Sequence, residues 1–133
     1  MTTKRKVSAG DYTKLLGFRT GLRHFLHWSE GEARAAGLTP AQHQLLLAIK
    51  GHPGRSDPTV GDLAEHLVSK HHSVVELIDR AVEAGLVQRR RDTEDHRAVR
   101  LRLTSLGERR IEELSCLHLE ELRRLAPLLE TTE

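Results

Sequence analysis

The sequence predicts a mainly α-helical domain that carries one small β-hairpin. Apolar residues recur at spacings of three and four over most of the chain, which is the period of an α-helix. After residue 85 the period changes to two, which is typical of half-buried strands. Capping signatures and glycines divide the helical parts into separate segments. With 133 residues, the chain has a typical size for one domain.

Composition excludes several classes of protein. Aromatic residues make up only 3% of the chain, so the core must be built mostly from Leu, Val, Ile and Ala. The single cysteine, Cys116, excludes an intrachain disulfide, and we expect it to be a small buried residue. No apolar stretch approaches the roughly 20 residues of a membrane helix, and none follows the basic N-terminal residues as in a signal peptide. We therefore expect a cytoplasmic protein without membrane contact.

The N-terminal half contains two predicted helices after a flexible arm at residues 1–10. The first covers residues 11–36. Its apolar side is formed by residues three and four apart, namely Leu15, Leu16, Phe18, Leu22, Phe25 and Leu26. The second begins after Thr39, whose hydroxyl can cap it, because Pro40 then occupies the favoured first position. Gly51 ends this helix and opens a loop rich in Gly and Pro.

Two helices with a tight turn between them follow. Residues 59–67 contain a second capping signature, because Thr59 and Asp62 are three positions apart. A turn at residues 68–70 leads into a longer helix that ends before Gly85. Two helices joined by a three-residue turn indicate a helix-turn-helix.

The predicted hairpin follows directly. Apolar residues and arginines alternate over residues 99–103, and residues 86–90 can pair with this strand around a tip at residues 92–97. A hairpin placed directly after a helix-turn-helix is typical of a winged helix-turn-helix. The fold class is therefore a winged helix-turn-helix flanked by N- and C-terminal helices.

The last helix is predicted over residues 105–130. Ser105 and Glu108 have the spacing of a capping box, and Pro127 should bend or end the helix. Its apolar side is formed by Ile111, Leu114, Leu117, Leu122, Leu125 and Leu129.

Several of these segments resemble the MarR family of bacterial transcription regulators. The segment DHRAVRLRLT at 95–104 matches the wing signature of that family. Three further segments fit its pattern in order: DLAEHL at 62–67, VVELIDRAVEAGLVQR at 74–89 and LTSLG at 103–107. The resemblance covers about residues 11–126. It implies a dimer that binds a palindromic operator in double-stranded DNA and often loses affinity when a small molecule, metal or oxidant binds.

The resemblance divides the single domain at residues 11–133 into functional parts. Residues 11–36 and 105–130 would be dimerisation helices, and residues 39–104 would be the DNA-binding region. Fewer residues follow Thr104 than is usual in the family, so we expect a shortened C-terminal dimer interface.

The longer helix of the helix-turn-helix is the predicted recognition helix. One face is expected in the core and carries Val74, Leu77, Ile78 and Ala81. The opposite face has side chains that can contact bases or phosphates, with a valine at its border. The predicted contacts are Ser69, His72, Ser73, Val75, Glu76 and Arg80. A solvated polar face is the alternative for an isolated amphipathic helix, but the adjoining basic hairpin favours DNA.

The segment at residues 88–104 holds six arginines, three acidic residues and no lysine. The planar guanidinium fork suits phosphate and base recognition. Arg97 resembles the family arginine that enters the minor groove, and Asp95 resembles the acid that orients it across the hairpin. The other five arginines would contact the DNA backbone or form structural pairs, and Arg89 and Arg91 are predicted as contacts. A charged hairpin that only maintains solubility would not explain six arginines without one lysine.

A small-molecule site is predicted between the first two helices and the last one. Its lining would be Phe18, Leu22, Phe25, Trp28 and His43, unless these residues only pack against each other. His43 and His118 could also lie where some family members bind zinc, but no second spaced pair completes such a site. We therefore predict no metal and no other cofactor. The sequence has no phosphate loop, nucleophile motif or HExxH, so we expect no enzyme.

The sequence thus predicts a homodimeric, sequence-specific DNA-binding transcription regulator, more often a repressor than an activator, that a small effector releases. Two alternatives remain open: a winged-helix protein-interaction module without specific DNA binding, and a metal-responsive DNA-binding sensor. An interaction module would need no exposed arginine at the wing tip. The metal content of the purified protein would identify a metal-responsive sensor.

Overall fold

The computed structural model describes residues 5–95 and 97–129. Within these ranges the elements are α1 (Ala9–Ala35), α2 (Pro40–Lys50), α3 (Val60–Leu67), α4 (His71–Glu83), β1 (Val87–Arg91), β2 (Val99–Leu103) and α5 (Ser105–Leu129). The predicted fold class, mainly α-helical with one hairpin after a helix-turn-helix, is confirmed. None of the described helices is long and apolar enough to cross a membrane.

Three of the described helices begin with a reciprocal capping box. Ser8, Thr39 and Thr59 each accept a hydrogen bond from the backbone N–H three residues later, and the side chain at that position bonds back to the cap. α1 therefore begins at Ala9, two residues before the predicted start at Asp11. Residues 1–4 of the predicted arm lie outside the described residues.

The core lies where α2, α3, α4, the hairpin and α5 meet. Its fully buried side chains include Leu45, Leu46, Leu63, Val74, Ile78, Leu101 and Leu114. Of the residues predicted to face the core from α4, Val74, Ile78 and Ala81 are buried, and Leu77 packs partly buried against the same cluster. α1 has a single buried residue, Ala33, in its 27 residues. Most of α1 is therefore not covered by the described part of its own chain.

The turn of the helix-turn-helix begins at Val68, which adopts a left-handed conformation with φ 49° and ψ 50°. The backbone N–H of Ser69 donates to the carbonyl of Ala64 at 3.0 Å, which closes the end of α3. A β-branched residue is unfavourable in this region, because its side chain crowds the backbone. The Val68 side chain is also 91% exposed, so packing does not compensate for the strain.

The hairpin, called the wing below (residues 87–103), is antiparallel, with Val87 opposite Leu103 and Arg91 opposite Val99. The segment before α3 extends it, because the N–H of Leu101 donates to the carbonyl of Pro58 at 2.9 Å. Thr59 also forms a bridge with Arg100. The wing is thus anchored to the helix-turn-helix along β2, a contact that the sequence did not predict.

The start of α5 packs closely on the beginning of the wing. The cap is Thr104, not Ser105 as predicted, because the Thr104 hydroxyl accepts from the N–H of Gly107 at 3.1 Å and donates to the carbonyl of Gly85 at 2.6 Å. At Gly107, a Cβ would lie 2.2 Å from the carbonyl oxygen of Leu86, so only glycine fits. α5 continues through Pro127 to Leu129, so the proline does not end it.

Candidate nucleic-acid interface and adjoining cavity

The solvent side of α4 carries a continuous polar face. His72, Ser73, Glu76 and Arg80 are exposed, and Val75 is partly buried at the border. Their spacing puts them opposite the buried residues of the same helix. Lys70 precedes α4 without a side-chain capping bond, unlike the caps of α1, α2 and α3. An N-terminus without a side-chain acceptor leaves its first N–H groups available to an anion such as phosphate.

Ser69 lies in the turn before α4, not on the helix face where it was predicted. It is exposed, and its hydroxyl donates to the carbonyl of Leu67 at 3.2 Å. The helix begins only at His71, so Ser69 lies at the edge of the polar face.

Arg97 lies at the tip of the wing with its side chain 95% exposed. Asp95 accepts a hydrogen bond from the backbone N–H of Arg97 at 3.1 Å, and its carboxylate lies 3.5 Å from the Arg97 Nε. The acid therefore contacts the arginine locally, from two residues earlier in the tip, and not across the hairpin as the resemblance implied. His96, between them, lies outside the described residues. The arrangement presents a guanidinium to solvent beyond the body of the domain.

Three other arginines of the wing bond to residues elsewhere in the protein. Arg89 forms an ion pair with Asp79 of α4. Arg102 donates to the carboxylate of Asp57 at 3.2 Å, and Arg100 donates to the Asp57 carbonyl at 2.7 Å. The structure thus places Arg89, a predicted DNA contact, in a structural pair. Arg91, the other one, is exposed on the same strand.

The acidic partners of these pairs were missed by the sequence analysis. Arg89 and Asp79 are ten positions apart, and Arg102 and Asp57 are 45 apart. The sequence contains no local signal for either pairing, because only the packing of the wing against α4 and the loop before α3 brings the partners together.

Asp92 begins the tip of the wing and is held ionised. The backbone N–H of Glu94 and then the Arg100 guanidinium lower the pKa of its carboxyl below the ordinary value. The Asp92 N–H donates to the carbonyl of Ala98 at 3.0 Å, which closes the tip.

A cavity of about 370 Å³ lies between α1, α2 and α5. It is lined by Phe25, Leu26, Ser29, Glu30, Pro40, His43, Gln44, Leu47, Ser115, His118, Leu119 and Leu122. Of the predicted lining, Phe25 and His43 lie on its wall. Trp28 packs beside it against the ring of Phe25. Phe18 and Leu22 lie earlier on α1, half exposed, and do not line it.

His43 and His118 are two of the polar residues on the cavity wall. Their rings lie 4.8 Å apart, and burial and then the proximity of His118 lower the pKa of His43. The Nδ1 of His118 donates to the carbonyl of Leu114 at 2.7 Å, so its Nε2 accepts from the Ser29 hydroxyl when the ring is neutral. The described residues contain no group of three or more His, Cys, Asp or Glu side chains that could hold a metal ion.

Cys116 is exposed, which corrects the prediction of a buried residue. Ile111 and Leu114 are the buried residues of α5 around it. Because each helical residue turns by about 100°, Cys116 points away from the core side that Leu114 occupies.

Comparisons with known proteins agree with this architecture. A family model described as the MarR family matches residues 36–98. A curated protein of Bacillus subtilis (strain 168), the HTH-type transcriptional repressor MdtR, is 33% identical over 78 residues, which cover 59% of this chain and 48% of that protein. The chain therefore spans about half the length of this curated relative.

Solved structures share the fold over most of the chain. AbsC, a MarR family transcriptional regulator from Streptomyces coelicolor, superposes with a TM-score of 0.77 at 20% identity and covers 96% of this chain and 86% of its own. MepR of Staphylococcus aureus, in complex with DNA, superposes with a TM-score of 0.72 at 21% identity and covers 85% and 82%. At these identities the likeness shows the fold alone.

Proposed function

Since the chain belongs to the MarR family, we propose that it is a dimeric transcription regulator that binds a specific palindromic operator in double-stranded DNA. The observation that carries the proposal is the coupling of two surfaces. The exposed polar face of α4 is joined, through the pair of Asp79 and Arg89, to a wing whose tip exposes Arg97.

In the proposed complex, α4 enters the major groove and the wing reaches the adjacent minor groove. An α-helix fits the width of the major groove, where Ser73 and His72 can donate to base edges and Glu76 can accept from a cytosine amino group. Arg97 has the length and exposure to enter the minor groove, which attracts arginine most where it is narrow. Arg80, Arg91 and the first N–H groups of α4 are proposed phosphate contacts.

The proposed dimer uses the surface that the chain leaves uncovered. α1, α5 and the residue Val7 before α1 expose a series of large apolar side chains: Val7, Tyr12, Leu15, Leu16, Phe18, Leu22, Leu26, Leu117, Leu119 and Leu122. Apolar surface gains about 25 cal/mol per Å² when it is removed from water, so these side chains favour a partner. A second copy of the chain would cover them in a two-fold interface.

We propose repression that a small effector relieves. The cavity lies between α1 and α5, the proposed dimer helices, and α2, which packs on the helix-turn-helix. Its volume falls in the range of small-molecule sites, about 300–1,000 Å³. A ligand that binds better when these helices are displaced would shift the dimer to a form whose two α4 helices no longer match one operator.

Selection of bound sequences from a random DNA pool tests this function. We expect one enriched palindrome, with the centres of its half-sites about 10 base pairs apart or at a multiple of that spacing. If no sequence is enriched and the residual binding is insensitive to salt, the chain is an interaction module without specific DNA binding. Stoichiometric metal in the purified protein would instead favour the metal-responsive alternative.

A further inference from the structure

Arg100 lies at the centre of a set of contacts that joins the wing tip to the loop before α3. Its Nη1 donates to the Asp57 carbonyl at 2.7 Å, and its Nη2 donates to the Asp92 carboxylate at 3.2 Å. The side chains of Arg100 and Asp92 are only 26% and 18% exposed. Both bonds are therefore partly shielded from water. Charge-assisted hydrogen bonds are stronger in such a site than at the surface.

The Arg100 guanidinium is held there at a cost. Its Nε is buried and has no hydrogen-bond partner among residues 5–95 and 97–129. A buried donor without an acceptor is unfavourable, so the bonds to Asp57 and Asp92 must outweigh this loss for the side chain to stay in place. An arginine that served only as a surface charge would turn its fork to solvent.

The two acceptors of Arg100 belong to different parts of the molecule. Asp57 precedes Pro58, whose carbonyl pairs with β2, and so belongs to the base on which the wing rests. Asp92 is the first residue of the tip, where it bonds to the N–H of Glu94 and to the carbonyl of Ala98. Arg102 also bonds to Asp57, but among the described contacts only Arg100 reaches both the base and the tip.

We propose that Arg100 is a positioning residue for DNA binding: it does not touch DNA but, through Asp92, fixes the wing tip and Arg97 relative to α4. This inference rests on the proposed DNA-binding function. It also explains why an arginine stands at this position. A planar fork can bond two acceptors at once, whereas a lysine ammonium is a single point charge.

The salt dependence of binding separates a positioning arginine from a DNA contact. Each neutralised phosphate adds about 0.9 to the slope of log affinity against log salt. Arg100→Met should weaken operator binding about tenfold with an unchanged slope. Arg100→Lys should behave in the same way, because it keeps the charge and loses the fork. Arg97→Met, by contrast, should lower both affinity and slope.

A double-mutant cycle tests the pairing itself. Asp92→Asn retains the size of the side chain and removes the charge that Arg100 holds, so it should give about the same tenfold loss. The double variant Asp92→Asn with Arg100→Met should have about the operator affinity of the single variant that binds more weakly. The reason is that both substitutions remove the same contact. The matched control is the exposed ion pair of Lys50 and Glu108, in which Nζ lies 2.7 Å from Oε1. Removal of this pair should leave the operator affinity unchanged.

Amide hydrogen exchange in the free protein keeps this test independent of DNA. The N–H groups of Asp92 and Ala98 should exchange faster in Arg100→Met, while that of Leu101 in β2 stays as in the wild type. A wild type that binds no DNA would refute the proposed function, but the exchange result would still decide whether Arg100 holds the tip. Wild-type affinity in both Arg100 variants, a lowered salt slope, additive losses in the cycle or unchanged exchange would each overturn the inference.

Discussion

Arg89 of β1 pairs with Asp79 of α4, so the wing and the helix that precedes it are joined by an ion pair. On β2, Arg100 donates to the backbone carbonyl of Asp57 and Arg102 donates to its carboxylate. Arg89, Arg100 and Arg102 therefore hold the wing in place. The proposed DNA contacts of this segment are accordingly concentrated at and beside the tip.

Arg97→Ala should weaken operator binding far more than Arg109→Ala and leave the fold intact. The Arg97 side chain is 95% exposed and has little protein to pack on, whereas Arg109 is exposed on α5, away from the proposed DNA face. The loss of one groove contact costs about 1–3 kcal/mol, and a symmetric dimer loses two. Titration of both variants against one selected operator at fixed salt measures this, with thermal melts as the folding control. Equal affinities would mean that the wing tip does not contact DNA.

Leu22→Glu should convert the proposed dimer to monomer. Leu22 is 42% exposed on α1, within the apolar side that we assign to the interface, and burying an unpaired carboxylate there is strongly unfavourable. Light scattering at micromolar concentration should give the mass of a dimer for the wild type and of one chain for the variant. Val68→Glu, at an exposed apolar residue outside α1 and α5, should remain dimeric. A monomeric wild type would refute the proposed interface.

Gly107→Ala should destabilise the fold by about 1–3 kcal/mol, the usual cost of overpacking. A Cβ at this position would lie 2.2 Å from the Leu86 carbonyl oxygen, so α5 must shift away from the wing. The matched control is Gly61→Ala in α3, where the nearest atom to the new Cβ is at 3.7 Å. That variant should gain about 0.5 kcal/mol. Urea unfolding of both decides the matter, and equal midpoints would contradict the close contact.

Val68→Asn should stabilise the protein. The valine is held at φ 49°, where a β-branched side chain is strained and asparagine is tolerated. The gain should be about 1 kcal/mol. It is measured as a rise of the midpoint of thermal unfolding. A lower midpoint would show that the turn is not left-handed at this residue.

Stability should fall as the pH drops below neutrality, and His43→Gln should reduce this fall. Burial and the nearby His118 lower the pKa of His43 below its ordinary value of 6.5. A group whose pKa is lower in the folded state stabilises the fold fully above the unfolded pKa, and this contribution is lost as the pH falls through the folded pKa. Urea unfolding between about pH 7.5 and 5.5 tests the sign. A variant as sensitive to pH as the wild type would exclude His43 as the source.

Local patterns in the sequence determined the elements of this fold and most of their boundaries. The caps at Thr39 and Thr59 set the starts of α2 and α3, and the change of period set the hairpin, because hydrogen bonds over three residues and alternation along a strand are local. The same patterns indicated which face of α4 is buried. The motifs around the wing also indicated the family, and the family model matches part of the same segment.

Tertiary structure alone decided the role of the wing arginines and the shape of the cavity. Arg100 bonds to Asp57 only because the loop before α3 lies along β2. Phe18 and Leu22 do not line the cavity, because α1 projects beyond the core. Cys116 is exposed for a similar reason, since the position of the core around α5 selects its buried side. Such contacts join residues far apart in the chain. Their partners depend on how whole elements pack, which the spacing of residues within one element does not encode.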